Sequence, residues 1–367
     1  MKISIYFKYI LRELIQPFIF GIAAFTAIFV GTDVIFQLTD LYTQFDISLL
    51  RLGELFLLSL PQIIVYTFPM GSLLATILAY SRLNGDGEIT AFRAGGFSIR
   101  KLLVPALIMG LVVSLGAIAI NEYVVPQANY RYSLLEHEFE HGEQRPRTQY
   151  DLFLTPLDSS TNRPDFILYT RRFDADEGEM ESVVLQEFNG GRPTTLIEAE
   201  RAIWEQDNWH FYDGHLFRLA RDERVPQMSF SEYIVRTAID EPEEIARLDR
   251  DVDEMNMREL GHYITRLRAE GQEAFEERVL WHQQLSIPFA SFIFVLLAAP
   301  LGLKPRREGG SATGMGLSVI IIFIYYGVMT LGDALGSQGT IPPWLGAWGQ
   351  NIIFLLAGMV LLYRLGE

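Results

Sequence analysis

Six apolar runs, each long enough to cross a bilayer, leave this chain very few architectures. A helix of about 20 residues spans a hydrocarbon core, and runs of that size occur at Ile15–Leu38, Leu52–Tyr80, Leu102–Val125, Leu285–Leu303, Thr313–Leu335 and Trp344–Tyr363. In lipid each backbone N–H and C=O has to be satisfied inside the segment, so the runs are predicted to be helices. The second carries Pro61 and Pro69, which are expected to kink it unless neighbouring helices re-satisfy the freed carbonyls.

Composition confirms the division. The chain is 49% hydrophobic yet carries a formal net charge of −15 over 367 residues, a contradiction for one soluble domain. Counted by segment, residues 127–280 hold 18 Arg and 34 Asp or Glu, whereas the rest holds 12 basic and 11 acidic residues. The predicted organisation is three spans in 1–126, an acidic inserted domain in 127–280 and three spans in 281–367. Of the 12 basic residues outside the insertion, 11 fall on the side of the termini: Lys2, Lys8, Arg12, Arg82, Arg93, Arg100, Lys101, Lys304, Arg306, Arg307 and Arg364. Only Arg51 lies opposite. The positive-inside rule then predicts cytoplasmic termini and an insertion on the far side. Lys2, Lys8 and Arg12 precede an apolar run too long for a signal peptide, without a convincing cleavage site, so an uncleaved first helix is expected. An interfacial segment with Ile3, Tyr6, Phe7 and Ile10 on one side should lead into it. Cysteine is absent, which excludes disulfides.

The insertion reads as strands. Phe166–Thr170, Ser182–Phe188, Thr195–Trp204, Trp209–Tyr212 and His215–Leu219 are short runs rich in β-branched or aromatic residues. Asn189-Gly-Gly and Tyr212-Asp-Gly are turn signals, the second predicting a hairpin. An antiparallel, sandwich-like or open-barrel sheet follows, with one apolar face able to shelter an acyl chain or an edge open to strand addition. Alternation places Ile167, Leu185 and Leu196 as candidate groove residues. After the acidic linker Asp240–Glu254, Asn256 and Glu259 form a capping signal before the helical stripe Leu260, Tyr263, Ile264 and Leu267.

Between the second and third spans lies the polar loop Ser81–Lys101, predicted to hold a helix over roughly residues 87–94. Asp86 is the expected N-cap, Glu88 meets the positive end of the helix dipole and Gly95-Gly96 stops the helix. Ile89 and Phe92 share one side of a helix too short to stand alone in water. With Arg93 beside them, they form either a plug for a soluble cytoplasmic subunit or an amphipathic turn resting on the headgroups.

Chemistry of its own is hard to find. His137-Glu-Phe-Glu-His141 matches H-E-x-x-H, the helical zinc pattern. Gly142 follows at once, no third ligand is near, and solvated charge is the plainer expectation; an enzyme built on this motif ranks last. No Walker A, G-x-S-x-G or dinucleotide fingerprint appears. Ionisable residues within the spans, Asp33, Glu122 and Asp333, sit toward the outer ends, unlike the mid-membrane carboxylate of a proton-coupled carrier. The energy source is expected on another subunit.

At this point the chain resembles the lipopolysaccharide-export permeases of the LptF/LptG type over essentially its full length. The resemblance rests on the basic N-terminal segment, Phe68-Pro-Met-Gly-Ser-Leu-Leu-Ala, Gly87-Glu-Ile-Thr-Ala-Phe-Arg-Ala-Gly-Gly-Phe-Ser, Glu122-Tyr-Val-Val-Pro-Gln, Glu259-Leu-Gly-His-Tyr-Ile and Ala298-Ala-Pro-Leu-Gly, in that order. It implies a six-helix permease with a periplasmic β-jellyroll-like domain in the bacterial inner membrane. It also implies a second permease alongside, either a copy or a paralogue, with an LptB-type ATPase dimer and a periplasmic LptC/LptA-type bridge. Lipopolysaccharide is the implied cargo. ATP and magnesium belong to the ATPase, and no cofactor or nucleic acid is expected here. The candidate coupling residues of the loop are Asp86, Glu88, Ile89, Phe92 and Arg93, and the resemblance sets Glu88 at the position of the family's acidic coupling residue. Phe25, Phe29, Asp33, Phe323 and Tyr326 are the implied lipid gate. Asp33 and Asp40 stand where the family has cations, and only Arg51 is basic near that mouth. The lipid is therefore expected to carry fewer phosphates, or a partner permease to supply the cations. The alternative from another class is a structural or signalling subunit that couples an ATPase to a periplasmic partner.

Overall fold

The computed structural model describes residues 5–45, 47–141, 148–155, 165–189, 192–220, 223–235, 251–269, 272–303 and 310–365, with a few single positions between 236 and 250. They fall into two compact units, Met1–Phe139 with Val252–Gly261 and Glu273–Glu367, and Glu140–Asp251 with His262–Gln272.

The first unit is helical. Its elements are α1 (Ile5–Phe29), a π-helical turn (Val30–Val34), α2 (Ile35–Phe45), α3 (Leu49–Gly85), the short α4 (Glu88–Ala94), α5 (Ile99–Tyr123) and α6 (Val125–His141). After the insertion come α7 (Met257–Ala269), whose first turn belongs here, then α8 (Phe275–Gly302), α9 (Gly310–Ser337) and α10 (Pro343–Arg364). Among the described residues, six helical stretches are long and apolar enough to cross a membrane, matching the six runs. The first and third reach 41 residues each, well beyond their apolar cores, because α1, the π turn and α2 follow on from one another and α6 continues α5. Helix α3 runs unbroken through Pro61 and Pro69.

Helices α3 and α8 form the centre. In each, 72% of the most apolar window is buried, against 11% in the first span. Helix α8 packs on α3, α5, α9 and α10, and α3 also receives α1. The α1–α3 crossing is close because two glycines meet there: a Cβ at Gly21 would sit 3.0 Å from the Gly71 Cα. Small residues at crossings are how helices gain dispersion contacts where lipid offers no hydrophobic drive. A polar link crosses the interior of the bundle. The Tyr325 hydroxyl donates to Asn351 Oδ1 at 2.8 Å, and Asn351 Nδ2 donates to the Ser286 carbonyl at 2.7 Å, tying α9, α10 and α8.

The second unit is a six-stranded antiparallel meander in the order β1 (Thr148–Leu154), β2 (Phe166–Asp174), β3 (Glu179–Asn189), β4 (Arg192–Glu205), β5 (Asn208–Ala220) and β6 (Glu223–Ile234). Its core gathers Leu168, Phe173, Leu185, Ile197, Trp209 and Phe211. Edge strands β1 and β6 are absent from the predicted runs; β6 contains Pro226, which an edge strand tolerates. Gly190 and Gly191 of the first turn signal lie outside the described residues, as do Ile3, most of 236–250 and Lys304–Arg307.

The hairpin expected at Tyr212-Asp213-Gly214 is not there. Strand β5 runs straight through, and the chain reverses instead at Gln206-Asp207, whose φ angles are +50° and +62° between the paired Glu205 and Asn208. Two consecutive left-handed residues make the two-residue loop that suits the twist of a hairpin. Gly214 serves a different purpose. It faces Phe230 on β6, and a Cβ there would collide with the Glu198 carbonyl and lie 2.5 Å from Phe230 Cζ. Gly214→Val is expected to destabilise the sheet by about 1–3 kcal/mol, the usual cost of overpacking. Thermal unfolding of the full-length protein should show a lowered Tm for the β unit, and an unchanged Tm would contradict this packing.

Candidate functional site

The α4 corner is built on the first turns of α1. Helix α3 ends at Gly85, and Gly87, with φ +75°, makes the left-handed step that precedes α4. Asp86 therefore sits one residue too early to cap α4 as expected. It terminates α3 instead, its N–H bonding the Arg82 carbonyl at 2.9 Å and its carboxylate 3.9 Å from Arg82 Nε. No side chain caps α4.

The apolar side of α4 also departs from expectation. Ile89 is not offered to solvent: it is 4% exposed, among Ile10, Leu14, Leu83 and Leu102. Phe92 is half-buried with its ring centroid 5.7 Å from Phe97, and Phe97 in turn lies 5.1 Å from Tyr6. A seven-residue helix has to bury its apolar side somewhere, and the chain's own N-terminal helix is nearer than any partner. Glu88 is held as well. The Tyr9 hydroxyl lies 2.7 and 2.9 Å from its two carboxylate oxygens and donates there. Arg82 forms an ion pair with Glu13 one turn further along α1. What remains exposed on α4 is Thr90, Ala91, Arg93 and Ala94. Sequence reasoning missed Tyr9 and Glu13, although Tyr6, Tyr9, Ile10, Glu13 and Leu14 form a single stripe at helical spacing.

The five gate candidates are not brought together within one chain. Phe25 and Phe29 are half-buried on α1, and Asp33 is exposed in the π turn, where Thr32 Oγ1 donates to Asp33 Oδ2 at 3.1 Å and to the Ile28 carbonyl at 3.1 Å. Phe323 on α9 is 80% exposed, while the Tyr326 hydroxyl donates to the Tyr66 carbonyl of α3 at 3.0 Å. Helix α1 packs on α3 and α5, and α9 on α3, α8 and α10. The two sets thus border separate flanks of the bundle. Arg51 stands 3.3 Å from Glu54, so the basic residue near this mouth is already paired.

The three groove candidates do not share a face. Register pairs Ile167 with Gln186 and Gln186 with Leu196, whereas Leu185 pairs with Leu168 and Ile197. Ile167 and Leu196 therefore point to one side and Leu185 to the other, where it is fully buried in the core. Side chains alternate with period 2, so one residue of offset between strands reverses the face.

Two of the resemblance marks, Glu122 and Glu259, meet at one strap. Residues 252–260 lie along α5, α6 and α8: Glu122 Oε2 accepts the Met257 N–H at 3.1 Å, and Trp281 Nε1 donates to the Met257 carbonyl at 3.0 Å. Gln284 Nε2 reaches the Met255 carbonyl at 3.0 Å and Asn129 Nδ2 the Asp253 carbonyl at 2.9 Å. Asn256 and Glu259 close the predicted capping box, Asn256 Oδ1 accepting the Glu259 N–H and Glu259 Oε2 the Asn256 N–H, both at 3.0 Å. Glu254, buried beside these, bonds Ser133. The H-E-x-x-H segment occupies the last turns of α6, and the side chains of Glu140 and His141 lie outside the described residues.

Comparison with known proteins agrees with this architecture. A family model described as lipopolysaccharide export system permease LptF/LptG matches residues 8–364. The chain is 22% identical over 320 residues to the permease protein LptG of Escherichia coli K12, covering 85% of each chain. It is 23% identical over 335 residues to LptF of the same strain, covering 88% of this chain and 83% of that one. LptG of Haemophilus influenzae is 21% identical over 321 residues, with 84% of each covered. This chain, six apolar helices with an inserted antiparallel sheet, belongs to the LptF/LptG family of lipopolysaccharide export system permeases.

Proposed function

We propose that the chain is the permease subunit of an ABC-type exporter that lifts lipopolysaccharide out of the inner membrane and passes it to a periplasmic bridge. Family membership and six apolar helices make it a multi-pass inner-membrane protein. The proposed orientation sets both termini and the α4 corner in the cytoplasm and residues 127–280 in the periplasm. An LptB-type ATPase dimer, which binds ATP and magnesium, docks on the α4 corner. A second permease, copy or paralogue, completes the lipid path, and an LptC/LptA-type protein continues it.

The observation that carries this reading is the anchoring of α4. A cytoplasmic subunit can push the bundle only through a corner that does not slip, and α4 is fixed by Ile89 in the core and by the Tyr9–Glu88 hydrogen bonds. The docking face is then Thr90, Ala91 and Ala94, with Glu88, Ile89 and Phe92 holding it in place, Asp86 closing α3 behind it and Arg93 bordering α5. Thr90→Trp and Ala91→Glu are expected to abolish copurification of the ATPase while the bundle stays folded. Ile89→Asp should instead destabilise the bundle, since an unpaired charge replaces a buried methylene side chain. Tyr9→Phe removes a charge-assisted hydrogen bond of about 1.5–3 kcal/mol and should reduce lipid-driven ATP hydrolysis severalfold with the ATPase still bound. Wild-type ATPase binding by both Thr90→Trp and Ala91→Glu would move the docking face elsewhere.

The lipid is proposed to enter along the flank bearing Phe323 and Tyr326, with Phe25 and Phe29 of the other flank turned toward the second permease. The pairing of Arg51 with Glu54, beside the exposed Asp33 and Asp40, leaves lipid phosphates to be met by that partner. A photo-crosslinker at Phe323 is expected to capture lipopolysaccharide during turnover, and one at Leu185 to capture none. Complexes in which this subunit pairs only with itself should not favour phosphorylated over dephosphorylated lipid A in the absence of divalent ions. A clear preference for the phosphorylated form in such complexes would contradict the assignment of the cations to a partner.

A further inference from the structure

Helices α5 and α10 both pack on α8 but make no extensive contact with each other. At the α4 end a groove lies between them. Phe97, Ile99, Leu103, Leu362 and Leu365 supply its apolar lining, and Arg93 and Arg100 line it as well. Both arginines are exposed and have no hydrogen bond or ion pair among the described residues. Ser98 precedes α5 without capping it through its side chain, so the uncapped N-terminus of a 25-residue helix borders the same groove.

We propose that this groove binds an anionic phospholipid of the adjoining leaflet, a lipid distinct from the exported one. Its phosphate sits between the two guanidinium groups at the start of α5, where planar donors and the helix N-terminus both favour negative charge. One acyl chain lies along Ile99 and Leu362 toward the buried Leu103. An acidic loop of a soluble subunit would satisfy the arginines but leave the apolar floor uncovered, whereas a phospholipid matches both at once. The basic character of this end of the molecule, with Lys101 beside Arg100, adds to the attraction for anionic headgroups. The lipid would brace the corner that carries α4 against the last helix. Retention is measured on the isolated chain, so the result is independent of whether an ATPase docks on α4.

The test is native mass spectrometry of the delipidated full-length protein titrated with phosphatidylglycerol or phosphatidylcholine. Wild type should retain phosphatidylglycerol preferentially. The double variant Arg93→Gln with Arg100→Gln should lose that retention by about tenfold or more, given the usual contribution of each basic residue near an anionic surface, with phosphatidylcholine unaffected. Arg93→Lys with Arg100→Lys should keep most of it. Leu362→Trp, which fills the groove and leaves the charges in place, should lower phosphatidylglycerol binding on its own. Equal retention of the two lipids by wild type, or undiminished phosphatidylglycerol binding in the double glutamine variant, would overturn the proposal. Displacement by inorganic phosphate together with normal binding in Leu362→Trp would reduce the groove to a bare anion site and overturn it equally. Loss of ATPase binding in the glutamine variant with lipid retention intact would assign the arginines to a protein surface instead.

Discussion

The helical unit depends on α3 and α8, whose most apolar windows are 72% buried. Helices α3 and α8 bury most of their apolar windows in each other and in their neighbours, so every other span is placed by which side of this pair it covers. Between helices in a bilayer the hydrophobic effect contributes little, and the arrangement has to come from close packing and interior polar links. Both are present: glycines where α1 crosses α3, and the Tyr325–Asn351–Ser286 chain where α9 and α10 meet α8. Pro61 and Pro69 are accommodated within α3 because that helix is wrapped on several sides.

The sequence made the spans legible because a run of some twenty apolar residues has few competing explanations. It also showed where strands β2 to β5 lie, since their β-branched and aromatic content is high. Errors entered where a single local signal was given a tertiary meaning. Asp213-Gly214 looks like a hairpin turn, yet the glycine is there to let Phe230 lie over the strand, and the true turn at Gln206-Asp207 has no glycine to announce it. Ile89 and Phe92 were legible as one apolar side of a short helix, but no local pattern says whether such a side meets a partner or another part of the chain. Face parity in the sheet was lost in a similar way. Leu185 and Leu196 each sit in an alternating strand, and only the pairing of Leu185 with Ile197 shows that they oppose each other.

Two glutamates in the resemblance marks acquire a physical reason. Glu122 and Glu259 both satisfy backbone N–H groups at the start of α7, one across from α5 and one within a capping box. Glu122, Trp281, Gln284 and Asn129 fasten residues 253–257 by bonds from their side chains to the strap's backbone, while Glu259 closes the strap on itself. A similar economy governs the α4 corner, where Tyr9 and Glu13 on one helical stripe orient Glu88 and Arg82.

The π-helical turn at Val30–Val34 carries a geometric consequence. A π turn holds one residue more than the α-helix it interrupts, and each residue of an α-helix advances the azimuth by about 100°. The outward stripe of α2 is therefore rotated relative to that of α1 by roughly a quarter of a circle, although the two follow on without a proline at the junction. A neighbour lying flat along α1 cannot stay flat along α2. Any surface that follows this helix along its whole length has to be twisted, or has to change hands at Asp33.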